Sequence, residues 1–378
     1  MRTLHCCYDE KFIEGAIELF GSDSRVENTY VVVSEKPLES FSYIKSTNVK
    51  NILCKDFLSF VQPYDVIILH SLFALPSFSL ISSISLEKKV VWLSWGWDTY
   101  SDYYPVIPTI LYGQETSNCQ SLKEKLQQIR FKLAYKLKVR RHHLNALKRI
   151  DFYSGVFPYE YDLIKSSIKE FKAQPLDFYY GSLNFFIPET PSKVYSTGNK
   201  KNILIGNSAV QTNNHLDALK ALESVDTSCW DKLIMPLSYG GTTSYKKAVK
   251  KAAYRIFGDK VLTLDTFMPM EEYKAIMTDC KTAIFFHNRQ QASDNIFLQM
   301  INGARVFMSN DNVMYHYLKS EGLKIYSLQD DFDLIGEPMQ EEDVMTNRSY
   351  LSKHYSTSKL VNRIHTINSV LLNSQTIC

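Results

Sequence analysis

The sequence predicts an α/β protein of two doubly wound, Rossmann-like domains, each a parallel sheet covered by helices. Three observations carry this. Short runs that are apolar nearly throughout recur along the chain, as strands buried on both faces do. They alternate with segments whose apolar residues return at three- and four-residue steps, the helical period. Finally, 378 residues are long for one core and fit two domains of ordinary size.

In chain order, the first half offers strands at Arg2–Cys7, Thr29–Ser34, Asn51–Cys54, Asp65–Ser71, Val90–Gly96 and Asp151–Val156. The second half repeats the arrangement with Asn202–Ser208, Lys232–Leu237, Val261–Leu264, Thr282–His287, Arg305–Ser309 and Lys324–Ser327. Between them the stretch from Ile187 to Lys200 is rich in Pro, Ser and Thr and reads as a linker, with a boundary near residue 195. The expected domains are therefore 1–195 and 196–345, with a helical tail over 346–378 packing back on the first. Two such domains facing each other form a cleft, and each lends it the carboxyl ends of its strands.

Apolar content of 45% with charge content of 22% describes a globular chain, not a disordered one. The seven cysteines are odd in number and lack metal-ligand spacing, which suggests buried, inert thiols in a reducing compartment. Met1-Arg-Thr-Leu-His-Cys-Cys enters a strand with no signal-peptide core. Val66–Leu86 is nearly free of charge over the length of a membrane span. It holds six serines, His70 and Pro76, and reads as a buried strand, a turn and a short helix.

Net charge is only +3, but it is unevenly spread. The stretch 121–149 carries Arg130, Lys132, Lys136, Lys138, Arg140 and Arg141 among ten cations, against the single acid Glu124. Leu122, Leu126, Ile129, Phe131, Leu133, Leu137, Leu144 and Leu147 lie between them with Tyr135, much of the set at three- and four-residue steps. This is an amphipathic helix with a basic face, suited to an anionic membrane surface; a solvated surface helix is the plain alternative. No second basic patch or nucleic-acid motif accompanies it, so no nucleic-acid partner is expected. Neither half carries Gly-x-Gly-x-x-Gly or a Walker A sequence, which removes the main support for dinucleotide oxidoreductases and P-loop NTPases.

Candidate chemistry gathers at strand ends. Gly206-Asn207-Ser208 ends an apolar run, and Asn213 and His215 precede a helical pattern led by Leu216, Leu219 and Leu222. Free backbone N–H groups at such a turn suit a phosphorylated ligand, although the same residues also serve ordinary turns. Arg289, Gln290, Gln291, Ser293 and Asn295 supply a cation and amide or hydroxyl groups in one loop before a helix. Those are the types that spread the charge of a leaving diphosphate. Tyr239, before Gly240 and Gly241, offers a ring for stacking on a base. In the first half Trp95, Gly96, Trp97, Asp98 and Tyr100 close a strand: clustered indoles suit a pyranose, and Asp98 suits proton acceptance from an attacking hydroxyl, or helix capping. His70, at the end of the preceding strand, suits the same proton transfer or a structural bond. No metal-ligand cluster or cofactor motif is legible.

Trp95-Gly96-x-Asp98-x-Tyr100, then Gly206-Asn207-Ser208 with Asn213 and His215, Pro236-x-x-Tyr239 and Arg289-Gln290-Gln291 together resemble a known family. It is the bacterial TDP-N-acetylfucosamine:lipid II N-acetylfucosaminyltransferases (4-alpha-L-fucosyltransferase or Fuc4NAc transferase, glycosyltransferase family 56), over residues 65 to 330. The resemblance implies a GT-B enzyme with an interdomain cleft at the cytoplasmic face of the bacterial inner membrane. The enzyme would move a deoxyamino sugar from a TDP donor to a polyprenyl-diphosphate-linked saccharide of enterobacterial common antigen or O-antigen type, with no metal. The donor would lie on Gly206–Ser208, Asn213, His215, Tyr239 and the Arg289–Asn295 loop, and the acceptor near Trp95, Gly96 and Tyr100. The chain departs from the family pattern at Ala209-Val210 and Ala292-Ser-Asp-Asn295, which bear on the sugar pocket. A UDP- or GDP-sugar transferase or epimerase, or an inactive membrane-associated scaffold, would use the same fold.

Overall fold

The computed structural model describes residues 1–10, 12–180, 187–190 and 201–375. The expected boundary near residue 195 and most of the expected linker lie outside the described residues. The chain divides into two compact units, Met1–Pro108 with Gln127–Leu183 and Thr357–Cys378, and Thr109–Leu126 with Asn184–Ser356.

The first unit is built on seven parallel strands: β1 (Arg2–Cys7), β2 (Glu27–Ser34), β3 (Val49–Leu53), β4 (Val66–His70), β5 (Lys89–Leu93), β6 (Phe152–Ser154) and β7 (Gln174–Pro175). Their order is β3-β2-β1-β4-β5-β6-β7, so the direction of winding reverses between β1 and β4. All five residues of β4 are buried, as a central strand covered on both faces demands. Val66–Leu86 is that strand, a turn and a short helix at Phe78–Ser82; among the described residues no helix is long and apolar enough to cross a membrane. The expected strands are present with ends shifted by up to three residues, and β7 is an addition. It is two exposed residues, one of them proline, and offers no periodicity to read. The helix Thr357–Gln375 is fastened to this unit: Asn368 Nδ2 donates to Asp23 Oδ2 (3.1 Å) and Arg363 pairs with Asp177 (3.2 Å).

The second unit has six parallel strands: β8 (Asn202–Ile205), β9 (Leu233–Pro236), β10 (Val261–Leu264), β11 (Cys280–Phe285), β12 (Arg305–Met308) and β13 (Tyr326–Ser327). The order β10-β9-β8-β11-β12-β13 repeats the first topology, with its reversal between β8 and β11. Ile203, Ile205, Leu233, Met235 and Ile284 point from this sheet into one core with Leu219, Leu222 and Trp230. In an open α/β sheet the crevice at such a reversal, beyond the carboxyl ends of the strands, is where ligands sit.

The basic stretch is helical throughout, from Leu122–Ala134 through a π-turn at Tyr135–Val139 to Arg140–Arg149. The six described cysteines are free; Cys6, Cys7 and Cys280 are buried as expected, whereas Cys119 and Cys229 are exposed.

Candidate functional site

At the reversal of the second sheet, β8 runs into Gly206-Asn207-Ser208 and β11 into Phe286-His287-Asn288-Arg289. Gly206 takes φ +66°, and a Cβ there would come within 2.7 Å of Asn213 Oδ1 and 2.9 Å of His215 Nε2. Only glycine tolerates both the left-handed backbone and that approach. Asn213 is fully buried and organises the turn. Its Oδ1 accepts from Asn207 N (3.1 Å) and from His287 Nε2 (2.9 Å), while its Nδ2 donates to Ser208 Oγ and Val210 O (both 3.1 Å).

The donor pattern fixes a tautomer. Because the Asn213 amide nitrogen is occupied as donor, its oxygen must receive the proton on His287 Nε2, which leaves His287 Nδ1 as an acceptor. That atom and His215 Nε2 are buried with no hydrogen-bond partner among the described residues. Burial holds both imidazoles neutral, His215 down at about 3 and His287 well below its ordinary value, the latter also through Arg289 and His215.

The other expected donor-site residues join this network unevenly. Gln291 Oε1 accepts from Thr212 Oγ1 (2.7 Å) and its Nε2 reaches Asn207 Oδ1 at 3.5 Å. Tyr239, 39% exposed, lies with its hydroxyl 3.4 Å from Asn207 Nδ2. Arg289 Nη1 donates to Gln290 O (2.7 Å), and Asn312 Nδ2 pins the same loop at His287 O and Arg289 O (both 2.9 Å). Gln290 is buried. Ser293 and Asn295 start the helix Ser293–Asn302, whose preceding Ala292 is left-handed at φ +60°; Asn295 Oδ1 accepts from Tyr273 OH (2.8 Å). Two members escaped the sequence reading, His287 and Asn214. Asn214, at φ +50°, donates to Phe286 O (2.9 Å) and Leu111 O (3.1 Å) and accepts from Gly113 N (3.0 Å). Two consecutive asparagines before a histidine were a usable signal for it.

In the first unit the expected catalytic residues lie in dense networks of hydrogen bonds. Asp98 is completely buried, and its carboxylate accepts from Leu72 N, Trp92 Nε1, Ser94 Oγ and Trp95 N at 2.8–2.9 Å. A carboxylate with four donors on it holds the turns after β4 and β5, which is the structural alternative to proton acceptance. His70 is likewise committed. Asn28 Nδ2 donates to Phe20 O, so Asn28 Oδ1 receives His5 Nε2–H (2.9 Å) and His5 Nδ1 receives His70 Nε2–H (2.9 Å). His70 Nδ1 then receives the Tyr180 hydroxyl (2.8 Å). Both histidines are neutral through burial, His5 at about 4 and His70 well below its ordinary range. Gly96, at φ +77°, and the buried Tyr100 belong to the same turn through Tyr100 N to Gly96 O (2.8 Å), while Trp95 is half-buried.

On the basic helix Leu122, Leu126, Ile129, Leu133 and Leu137 are 56–81% exposed, an apolar stripe facing outward. Arg130, Lys132, Lys136, Lys138, Arg140 and Arg141 are exposed alongside it.

A model of the family described as 4-alpha-L-fucosyltransferase glycosyl transferase group 56 matches residues 119–348, more than half of the chain. Among solved structures the chain is similar to the N-terminal domain of a trehalose-6-phosphate phosphatase from Candida albicans (TM-score 0.68, 12% identity, 98% of this chain and 96% of that one). It is also similar to HepE from Anabaena in complex with UDP (0.63, 11%, 98% and 99%). A third is trehalose-6-phosphate from E. coli bound with UDP-2-fluoro glucose (0.63, 10%, 98% and 99%). At such identities the likeness is one of fold, and the fold, two parallel α/β sheets, is GT-B.

Proposed function

Because this chain belongs to the 4-alpha-L-fucosyltransferase family, glycosyl transferase group 56, we propose that it transfers a deoxyamino sugar of the Fuc4NAc type. The donor is a TDP-sugar, and the acceptor is a saccharide on a polyprenyl diphosphate. The product belongs to bacterial surface glycan synthesis. The observation that carries the donor half is the buried Gly206–Asn213–His287 network at the reversal of the second sheet. It holds the two loops that meet there rigidly, next to the Arg289 guanidinium and the start of the helix Ser293–Asn302.

Glycosyl transfer breaks the bond between the anomeric carbon and the diphosphate, so negative charge grows on the leaving oxygens. Arg289 and the N–H groups at that helix start receive this charge at fixed positions, where it needs no reorganisation. Gly206–Ser208 lets the diphosphate approach the backbone closely. Tyr239 stacks on the base, and Gln290, Gln291, Ser293 and Asn295 bound the sugar. In the other unit Asp98 and His70 act as positioning residues, and the acceptor lies on the aromatic surface that Asp98 shapes.

The outward apolar stripe with its flanking cations supports a peripheral seat on the anionic cytoplasmic face of the inner membrane, where a polyprenyl-linked acceptor resides. A uridine-nucleotide donor is the second reading, favoured by the UDP ligands of two similar structures. Thermal unfolding with TDP, UDP and GDP separates the two, since only a ligand that binds the native state raises its stability. A TDP-selective rise that Arg289→Ala abolishes is expected. A UDP-selective rise would replace the donor, and no rise with any nucleotide would overturn the donor site.

A further inference from the structure

The first unit contains a cavity of about 500 Å³ within the aromatic surface beside Asp98. That volume lies within the roughly 300–1,000 Å³ of small-ligand sites. Its walls are aromatic: Phe73, Phe78, Trp97, Tyr103 and Tyr104. Phe73 and Trp97 rings lie 4.8 Å apart, Phe78 and Tyr104 5.6 Å, and Trp97 remains 36% exposed to whatever enters. Asp98 sets two of these walls. It holds the N–H of Leu72, the residue before Phe73, and it directly follows Trp97.

The remaining wall comes from the basic helix. Lys138 and His142 lie four residues apart and both line the cavity. His142 Nδ1 is 3.1 Å from Ser79 Oγ, which fixes its ring. Lys138 and Val139 lie in the π-turn Tyr135–Val139, a local widening of the helix of the kind that recurs at functional sites. The turn is anchored by Tyr135 OH to His143 Nδ1 (2.9 Å), with His143 stacked on Phe78 at 4.5 Å. Leu137, the last residue of the exposed apolar stripe, directly precedes the cavity-lining Lys138 in the chain.

We propose that this cavity binds the diphosphate and the first isoprene units of the acceptor lipid. Lys138 and His142 meet the diphosphate, and the aromatic walls take the prenyl chain. The inference rests on the lipid-linked acceptor reading and gives that substrate a place. An allylic chain joined to two phosphates matches a slot that is aromatic inside and cationic at one wall, beside a helix suited to the membrane surface where such a chain emerges. The stripe alone would bind any anionic lipid surface, whereas an aromatic cavity of this size selects a slender unsaturated chain.

Farnesyl diphosphate is the probe, titrated onto the full chain with excess TDP and UDP so that the donor site is filled. Saturable binding is expected, weakened about tenfold or more by Trp97→Ala and by Lys138→Glu, each a loss of one partly buried contact. Farnesol and inorganic diphosphate should each bind more weakly than the joined molecule. A wild-type melting temperature in both variants excludes misfolding as the cause. Equal affinity in wild type and both variants, or no binding to wild type, would overturn the cavity as the site. Competition by short-chain phosphatidylglycerol as strong as by farnesyl diphosphate would overturn the isoprenyl assignment. The lipid-acceptor reading fails by a different result: sugar transfer to a lipid-free saccharide as fast as to its polyprenyl-linked form.

Discussion

His287 Nε2 lies 2.9 Å from Asn213 Oδ1, and this buried bond joins the loop after β11 to the loop after β8. The donor site therefore depends on one amide that accepts from two strands' loops and donates to a third point, Ser208 Oγ.

Asn213→Ala removes that amide and leaves the Asn207 N–H and the His287 Nε2–H buried without acceptors. The expected cost is about 2 kcal/mol of unfolding free energy, measured by denaturant titration, since each orphaned donor carries its full desolvation penalty. Nucleotide-induced stabilisation should vanish with it. A variant of unchanged stability that still responds to nucleotide would show that the network does not shape the site.

Asp98→Asn puts an amide N–H₂ among four donors. We expect a loss of roughly 2–4 kcal/mol, because a buried group is left facing like partners. Any residual activity should keep the wild-type pH–rate profile. A variant of wild-type stability with no turnover would restore Asp98 as the proton acceptor.

The parts of this picture legible in the sequence are those with a local signature. Strand runs such as Val66–His70 and turns such as Gly206–Ser208 announce themselves through composition over a few residues. The cluster of Asn213, His215, Tyr239 and Gln291 was legible because each follows a strand, and parallel sheets bring strand ends to one edge. What failed was satisfaction: nothing local says that Asp98 would meet the N–H of Leu72, or His70 the hydroxyl of Tyr180, 110 residues away. A polar residue at a strand end reads as reactive until its partners are known. His287 ends an expected strand too, and its bond to Asn213, 74 residues away, has no local signature.

Acid should destabilise the fold through its buried histidines. Burial holds His5 and His143 at about 4 and His215 at about 3, with His70 and His287 also depressed, against an unfolded value of 6.5. Between those limits the unfolded chain binds more protons, so stability rises with pH, is full above 6.5 and is lost as pH falls toward the folded values. Glu160 opposes this: burial raises its carboxyl to about 7 from 4.5, so its contribution declines as pH rises through that window. Five imidazoles outweigh one carboxyl, and the melting temperature should fall steadily from pH 6.5 to 4.5. A flat profile over that range would contradict the neutral assignment of the histidines.

Leu133→Asp with Leu137→Asp should lower partitioning onto vesicles containing phosphatidylglycerol by at least about tenfold, since each leucine buried in the interface contributes of order 1.5 kcal/mol or more. Both side chains are exposed, at 56% and 72%, so folding should be unaffected. Sedimentation with vesicles reads the result, and equal partitioning of wild type and variant would remove this helix as the membrane contact.

The chain of bonds from Asn28 through His5 and His70 to Tyr180 has a bearing on how the first sheet assembles. β1 and β4 are apolar enough that sliding one past the other by two residues would keep every side chain on its own face. Only with Leu4 beside Ile67 and Cys6 beside Leu69 do the two imidazoles meet. A slipped pairing would strand each ring in the interior without its neighbour, at the cost of an unmet polar group. The histidines thus act as an alignment mark that rejects mispaired sheets among otherwise interchangeable strands.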